Sequence, residues 1–474
     1  MDIETETDIE RLRQVAKLQD QQLRRAAGEV ERLAAEIAKL KGTPVSQELR
    51  LAVAQMNGET PKPHIPKDKR KAKRRRSKAG PTPQPQLPKS QQLFELDEAD
   101  KTCPSCGGEL RPMEGQTEDS ELIDVIEVQY TLTEVKRQKY SCRCGCMETA
   151  EGPARTQPGG RYSLDFGVKV ATDKYGHHLP LERQVRVMKA AGLNVTSQTL
   201  WKQVEAIARW AKPTWRALKE QALRQGIIGL DQTGWPRLDD KSKKKWQMWC
   251  ITTPKIVYHT IRDDKSAATF LDLVGDYDGY IVCDDLGTHL AGARGSPGVE
   301  LVGCWAHIYR KFEEASADFP QAEVAMRLIH DLYEIDRLSA PEELAATRDL
   351  WSRMILDELY QWMTTVPVLT TTKLGKAIKH TLKLKERLWR LVDDPNVWLD
   401  NNPTERSIRG PVVGRRNHFG SKSKRGTEAA SVLYSLVETA KLNKLDPKKY
   451  IHAVVEAAQR NSGVVTMPWD LASA

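Results

Sequence analysis

The sequence predicts a multidomain α/β protein, and three observations carry that reading. Two short apolar runs end in acid, GIIGLDQTGW (226–235) and GYIVCDD (279–285), and read as buried strands with carboxylates at their exits. Residues 320 to 395 are almost wholly helical in period, with Met326, Leu328, Ile329, Leu332 and Tyr333 on one apolar face. The composition ahead of residue 150 changes from heptad-patterned to basic and proline-rich to cysteine-rich, so several modules precede the strands.

A chain of 474 residues is long enough for two or three domains with real cores. No apolar run approaches a membrane span, and the opening MDIETETDIE is acidic where a signal peptide is basic, so an unexported protein that avoids membranes is expected. Of eight cysteines, five fall between 103 and 146, which suits a metal site in a reducing compartment better than a disulfide framework. The net charge of +9 is nearly all local. KDKRKAKRRRSK (67–78) holds nine Lys or Arg against one Asp, and so contributes +8. Such a block gains by neutralising phosphates, which nominates Lys69, Arg70, Lys71, Lys73, Arg74, Arg75 and Arg76 for DNA; a solubilising linker is the plainer reading.

From the start, Ile9, Ala16, Leu23, Val30 and Ile37 repeat every seven residues, and Leu12, Gln19, Ala26, Leu33 and Leu40 follow three positions later. This a/d seam predicts a coiled coil over 1–41 and self-association, with Gly42 to Pro44 ending the helix. Residues 42–100 become rich in Pro, Lys and Gln from Gly58 on and read as a disordered basic linker. A zinc-binding module is expected over 101–152. CPSCGG supplies Cys103 and Cys106 at knuckle spacing, and YSCRCGC offers Cys142, Cys144 and Cys146 where a tetrahedral Zn²⁺ site needs two. We take Cys142 and Cys146, with Cys144 as the alternative. Between the halves, Ile126, Val128, Tyr130 and Leu132 alternate as in a strand.

Residues 165–222 read as a helical block. Leu181 to Lys189 precede a break at Ala190 to Gly192, and a helix from Ser197 runs through Leu200, Trp201, Val204, Ile207 and Trp210. A helix-turn-helix would put Gln198 and Thr199 at the start of the reading helix; a plain helical hairpin fits the same spacing.

After Asp231, WQMWCIT (246–252) and KIVYHTIR (255–262) flank Pro254 as an antiparallel hairpin, and a helix through Phe270 leads to the second acid-ended run. Strand with Asp, hairpin, helix, strand with Asp is the order of a ribonuclease H-like sheet, expected over 223–425 with a helical insertion at about 318–396. In such a sheet Asp231 and Asp284 lie side by side and can share divalent metal. Leu301 to Cys304 leads into WAHIYRKF, where Arg310 and Lys311 begin a helix and His307 is either a phosphate contact or a core histidine. LDNNPTERSIRG then offers Asp400 or Asn401 as a helix cap, Pro403 in the first turn and Glu405 projecting from it. Residues 426–474 form a C-terminal helical segment.

The runs GLDQTGW, GYIVCDD, VGCWAHIYRKF, LDNNPTERSIRGPVVGRRNHFGS and YSLVETAKLNKLDP resemble, in order, the catalytic core of DDE transposases of the insertion sequence 66 family. The coiled coil, the CPSCG module and KYGHHLPLERQVRVM resemble that family's N-terminal half. The resemblance implies a DNA transposase with Asp231, Asp284 and Glu405 as catalytic, metal-binding triad for Mg²⁺ or Mn²⁺, and Zn²⁺ at the cysteine module. It also implies small accessory proteins encoded by the same element and a DNA-associated protein of the bacterial cytoplasm. Arg406, Arg409, Arg415, Arg416, Lys422 and Lys424 would steady the DNA, or form ordinary surface charge. Two departures are noted: Gln232 stands where the family commonly has Glu, and Asp285 where it commonly has Gly. We choose Asp284, because adjacent strand residues face opposite ways. A DNA-binding regulator and a nuclease that cuts without joining are the competing readings.

Overall fold

The computed structural model describes residues 129–472 apart from 142, 145, 146, 243, 285 and 286, together with Arg111. The expected coiled coil, the basic linker with Lys69 to Arg76, and Cys103, Cys106, Cys142 and Cys146 lie outside the described residues. Residues 122–474 form one compact unit.

That unit opens with a hairpin of β1 (Lys139–Ser141) and β2 (Met147–Thr149), paired antiparallel with Lys139 opposite Thr149. The alternation at Tyr130 and Leu132 does not make a strand: residues 129–138 are irregular. Tyr130 packs edge-on against Phe166 at 6.3 Å, and Leu132 is exposed.

Three helices follow, α1 (Leu164–Tyr175), α2 (Leu181–Ala190) and α3 (Ser197–Ala222). Ser163 and Thr196 cap the first and third by accepting from Phe166 N and Thr199 N. α3 buries Leu200, Val204, Ile207, Ala211 and Leu218 in the same core as the sheet residues Ile228, Leu230, Trp249 and Ile251. The helical block therefore packs on the sheet.

The sheet comprises β3 (Ile227–Gly234), β4 (Gln247–Thr252), β5 (Val257–Arg262), then after α4 (Ala267–Val274), β6 (Gly279–Val282), and after α5 (Gly287–Ala293), β7 (Val299–Val302). Spatial order is β5-β4-β3-β6-β7. The pairs β3–β4, joined by a loop over 235–246, and β4–β5, joined by a short turn, are antiparallel, whereas β6 and β7, reached through helices, run parallel to β3.

Next comes α6 (Trp305–Ser316), followed by α7 (Ala322–Leu338), α8 (Leu344–Thr347), a π-helical turn at Arg348–Ser352, α9 (Arg353–Thr365), α10 (Lys373–Lys383) and α11 (Lys385–Asp393). Their apolar faces build a second core around Phe312, Ile329, Leu332, Leu356 and Leu388, joined to the sheet by Val282 and Val302. Arg348, 3% exposed, ties this helical layer together. Its guanidinium pairs with Asp336 and donates to the carbonyls of Leu391, Pro395 and Val397.

The chain returns to the sheet through α12 (Asn402–His418), α13 (Lys424–Leu442), α14 (Pro447–Arg460) and α15 (Pro468–Ala472). α13 covers the edge strand β5 with a row of hydroxyls four residues apart. Ile261 N donates to Ser431, His259 N to Ser435 and Val257 N to Thr439 at 3.1, 2.7 and 3.0 Å. Backbone groups that an edge strand leaves open are thereby satisfied. Among the described residues no helix is long and apolar enough to cross a membrane.

Candidate active site

The parallel pairing of β3 with β6 sets Ile227 beside Tyr280 and Gly229 beside Val282. Two residues further along each chain stand Asp231 and Asp284. Asp231 lies within β3 opposite Cys250 of β4, and Asp284 stands two residues past the end of β6. Asp285 lies outside the described residues.

Glu405 arrives from far along the sequence, in the first turn of α12, where a carboxylate also complements the helix dipole. Three contacts hold that turn on β3. Asn401 Nδ2 donates to the Leu230 carbonyl at 3.0 Å, the hydroxyls of Thr252 and Thr404 meet at 2.6 Å, and the Asn401 N–H reaches Cys304 Sγ at 3.3 Å. Gly229 makes the approach possible. A Cβ there would overlap the Thr404 hydroxyl, lie 2.6 Å from that of Thr252 and 2.9 Å from Asn401 Oδ1. Of the two cap candidates, Asn401 occupies the N-cap position without a side-chain cap bond, while Asp400 just before it accepts from Asn402 N at 2.9 Å through Oδ1 and is bound by Tyr333 at Oδ2. Asn401 is turned to the sheet instead.

The electrostatics register the crowding of acid. Asp231 is raised to about 7, first by burial and then by the charges of Asp284 and Glu405, against the Gln232 N–H, which lowers it. Arg310 of α6 answers Glu405 with its Nη2, 2.9 and 3.2 Å from the two carboxylate oxygens. His307 Nε2 stands 3.7 Å from Glu405 and is held below the usual histidine range by burial and by Arg310. His289, fully buried 3.5 Å from Asp284, is pushed down to about 4 by burial.

Two donor sets could hold metal. Asp231, Asp284 and Glu405 offer only oxygen, the chemistry of a hard cation, and Asp231, raised first by burial and then by the other two acids, is a carboxylate whose charge a cation would stabilise. Among the described residues, however, the ligand atoms that lie within 4.8 Å of one another are those of Cys304, His307 and Glu405. The three acids are thus close enough to feel one another without being drawn into a single tight shell.

The other sequence-nominated residues divide clearly. Arg406, Arg409 and Arg416 are exposed along α12, and Lys422 and Lys424 are exposed just after it. Arg415 is turned inward, donating to the Thr233 hydroxyl at 2.9 Å and to the Gly234 carbonyl at the end of β3. Thr199 takes part in the α3 cap, and Gln198 is exposed beside it. Cys144 is exposed between β1 and β2. Sequence reasoning did not single out Gly229 or His289, gave Arg310 no partner, and read Asn401 as a cap candidate rather than as a tie to β3.

These elements define a mixed α/β protein with an acid-centred site at the carboxyl ends of its two central parallel strands. A family model described as transposase IS66 family matches residues 159–429, and one described as the zinc-finger binding domain of transposase IS66 matches residues 100–145. The chain belongs to the IS66 transposase family. Its zinc-finger match supports Zn²⁺ binding and ends one residue before Cys146. It is also similar to two uncharacterized proteins of Sinorhizobium fredii. It is 28% identical to y4jD, with 81% of each chain covered. It is 26% identical to y4hP over 75% of this chain and 70% of that one.

Proposed function

We propose that this transposase cuts insertion-sequence ends and joins them to target DNA by a DDE two-metal mechanism on a ribonuclease H-like sheet. The strand order, with three antiparallel strands followed by two parallel to the first, supports that fold. The observation that carries the mechanism is the pinning of the helix turn bearing Glu405 on β3, close enough that the charges of Asp284 and Glu405 both act on Asp231. Asp231, Asp284 and Glu405 would hold Mg²⁺ or Mn²⁺. Such ions would supply activation of a water or 3′-hydroxyl nucleophile and neutralisation of the charge on the leaving oxygen.

The chain's own residues do the rest. Asp231, raised to about 7 by burial and by the charges of Asp284 and Glu405, would be held in its charged form by a bound cation. Arg310 neutralises Glu405 and stands beside the acids with a guanidinium suited to a phosphate oxygen. Exposed Arg406, Arg409, Arg416, Lys422 and Lys424 contact the flanking backbone, while Arg415 positions the end of β3. Gln198 and Thr199, the basic residues Lys69 to Arg76, and a Zn²⁺ module of Cys103, Cys106, Cys142 and Cys146 bind the element's terminal repeats. Cys144, inside the matched zinc-finger span, is the alternative fourth ligand. The coiled coil over 1–41 pairs two copies, and accessory proteins of the element join them in the bacterial cytoplasm.

The test incubates the full chain with labelled DNA carrying the element's own ends, a target plasmid and Mg²⁺ or Mn²⁺. Joined products support transposition. Cut ends without joining would make the protein a nuclease, and binding without cutting would make it a regulator.

A further inference from the structure

Helix α10 presents Lys373, Lys376, Lys379 and Lys383 on one exposed face at helical spacing. Lys373 pairs with Asp318 at the far end of α6, and among the described residues neither Lys376 nor Lys379 makes an ion pair. The direction of the row is fixed by what lies at its other end. His380, Leu384 and Arg387 line one cleft together with Asp284, Cys304 and His307. α10 therefore runs back along α6 toward the acids, and its lysines lead to them. Between Lys373 and Arg390 the chain carries seven Lys or Arg and one acid, Glu386, so this part of the helical layer is positive although α6 bears Glu313 and Glu314 nearby.

We infer that the α10 lysine row is a phosphate-binding track that carries the DNA backbone over the helical insertion and into the acid cleft. The inference rests on the DNA-processing reading above and adds a contact surface to it. Lys376 and Lys383 are seven residues apart, about 10 Å along the helix. One strand of a duplex presents roughly three phosphates over that rise. Lysine suits this role because it follows a backbone as a mobile point charge and reads no bases.

The test measures binding of the full-length chain to duplex DNA as a function of salt, with EDTA present so that nothing is cut. A Lys376→Ala, Lys379→Ala, Lys383→Ala variant is compared with Lys444→Ala, Lys448→Ala, Lys449→Ala, which removes three exposed lysines from the start of α14 and the turn before it. Melting curves check that both fold. The track variant should reduce the slope of log affinity against log salt by about 2 to 3, and the control variant should leave it unchanged. A wild-type slope in the track variant, or an equal fall in the control, overturns the proposal. Wild-type protein that binds but never cuts with divalent metal counts against the catalytic reading alone, because the slopes still decide this one. Wild-type protein with no affinity for DNA overturns both.

Discussion

The Asn401 side-chain amide donates to the Leu230 carbonyl across 3.0 Å, joining the residue before Asp231 to a residue four before Glu405. With the Thr252–Thr404 pair beside it, this hydrogen bond converts a sequence separation of more than 170 residues into a fixed offset between two carboxylates. The placing of Glu405 thus depends on buried, uncharged residues.

Gly229→Ala tests the closeness of that contact most sharply. The new Cβ overlaps the Thr404 hydroxyl and crowds Thr252, so the α12 start must move away from β3. Overpacking of this kind costs about 1 to 3 kcal/mol. A carboxylate displaced by about 1 Å costs roughly a hundredfold in rate. Denaturant unfolding and single-turnover cleavage read the two effects. Wild-type stability and rate would show that the helix start is not held against Gly229.

Asn401→Ala removes the tie without adding bulk. Loss of one buried amide hydrogen bond should cost about 1 to 2 kcal/mol, with cleavage falling more than DNA affinity. Equal falls in both would assign Asn401 to general folding instead.

Arg348→Ala should be the most damaging change in the helical layer, because it strands Asp336 and three carbonyls. The expected loss is about 3 to 5 kcal/mol. An unaltered melting curve would contradict the role given to this buried guanidinium.

Stability should fall as the medium is acidified through the histidine range. Burial pushes His259 down to about 3, and burial with the nearby Lys174 charge pushes His418 down to about 4. The sign follows from linkage: below pH 6.5 the unfolded chain takes protons that the folded chain refuses. Full stability is therefore present above that value and is lost toward the folded pKa, at up to ~1.4 kcal/mol per pH unit for each group. His259→Leu should flatten the profile between pH 6.5 and 4 by about one such increment, and an unchanged slope would count against a neutral buried His259.

Much of this arrangement was legible in the sequence. Apolar runs ending in Asp231 and Asp284 gave the strands, and Gln247–Thr252 and Val257–Arg262 fall inside the hairpin read around Pro254. What could not be read was long-range contact. Asn401 looks like a cap residue until β3 lies beneath it, and Gly229 looks like ordinary strand punctuation until Thr404 sits over it. Arg415 looked like a surface cation, but the end of β3 claims it. Tyr130 and Leu132 alternate as a strand would, yet no partner strand pairs with them among the described residues.

The central claim is that Glu405 completes a metal-binding acid cluster with Asp231 and Asp284. Its most direct test is Mg²⁺-dependent cleavage of element-end DNA by wild type and Glu405→Gln, measured at DNA concentrations that saturate both. The substitution keeps the side chain's length and removes its charge. The account predicts equal DNA binding and cleavage reduced at least ~10³-fold in the variant, the scale of losing a main electrostatic contributor. Cleavage by Glu405→Gln within a few-fold of wild type would contradict it.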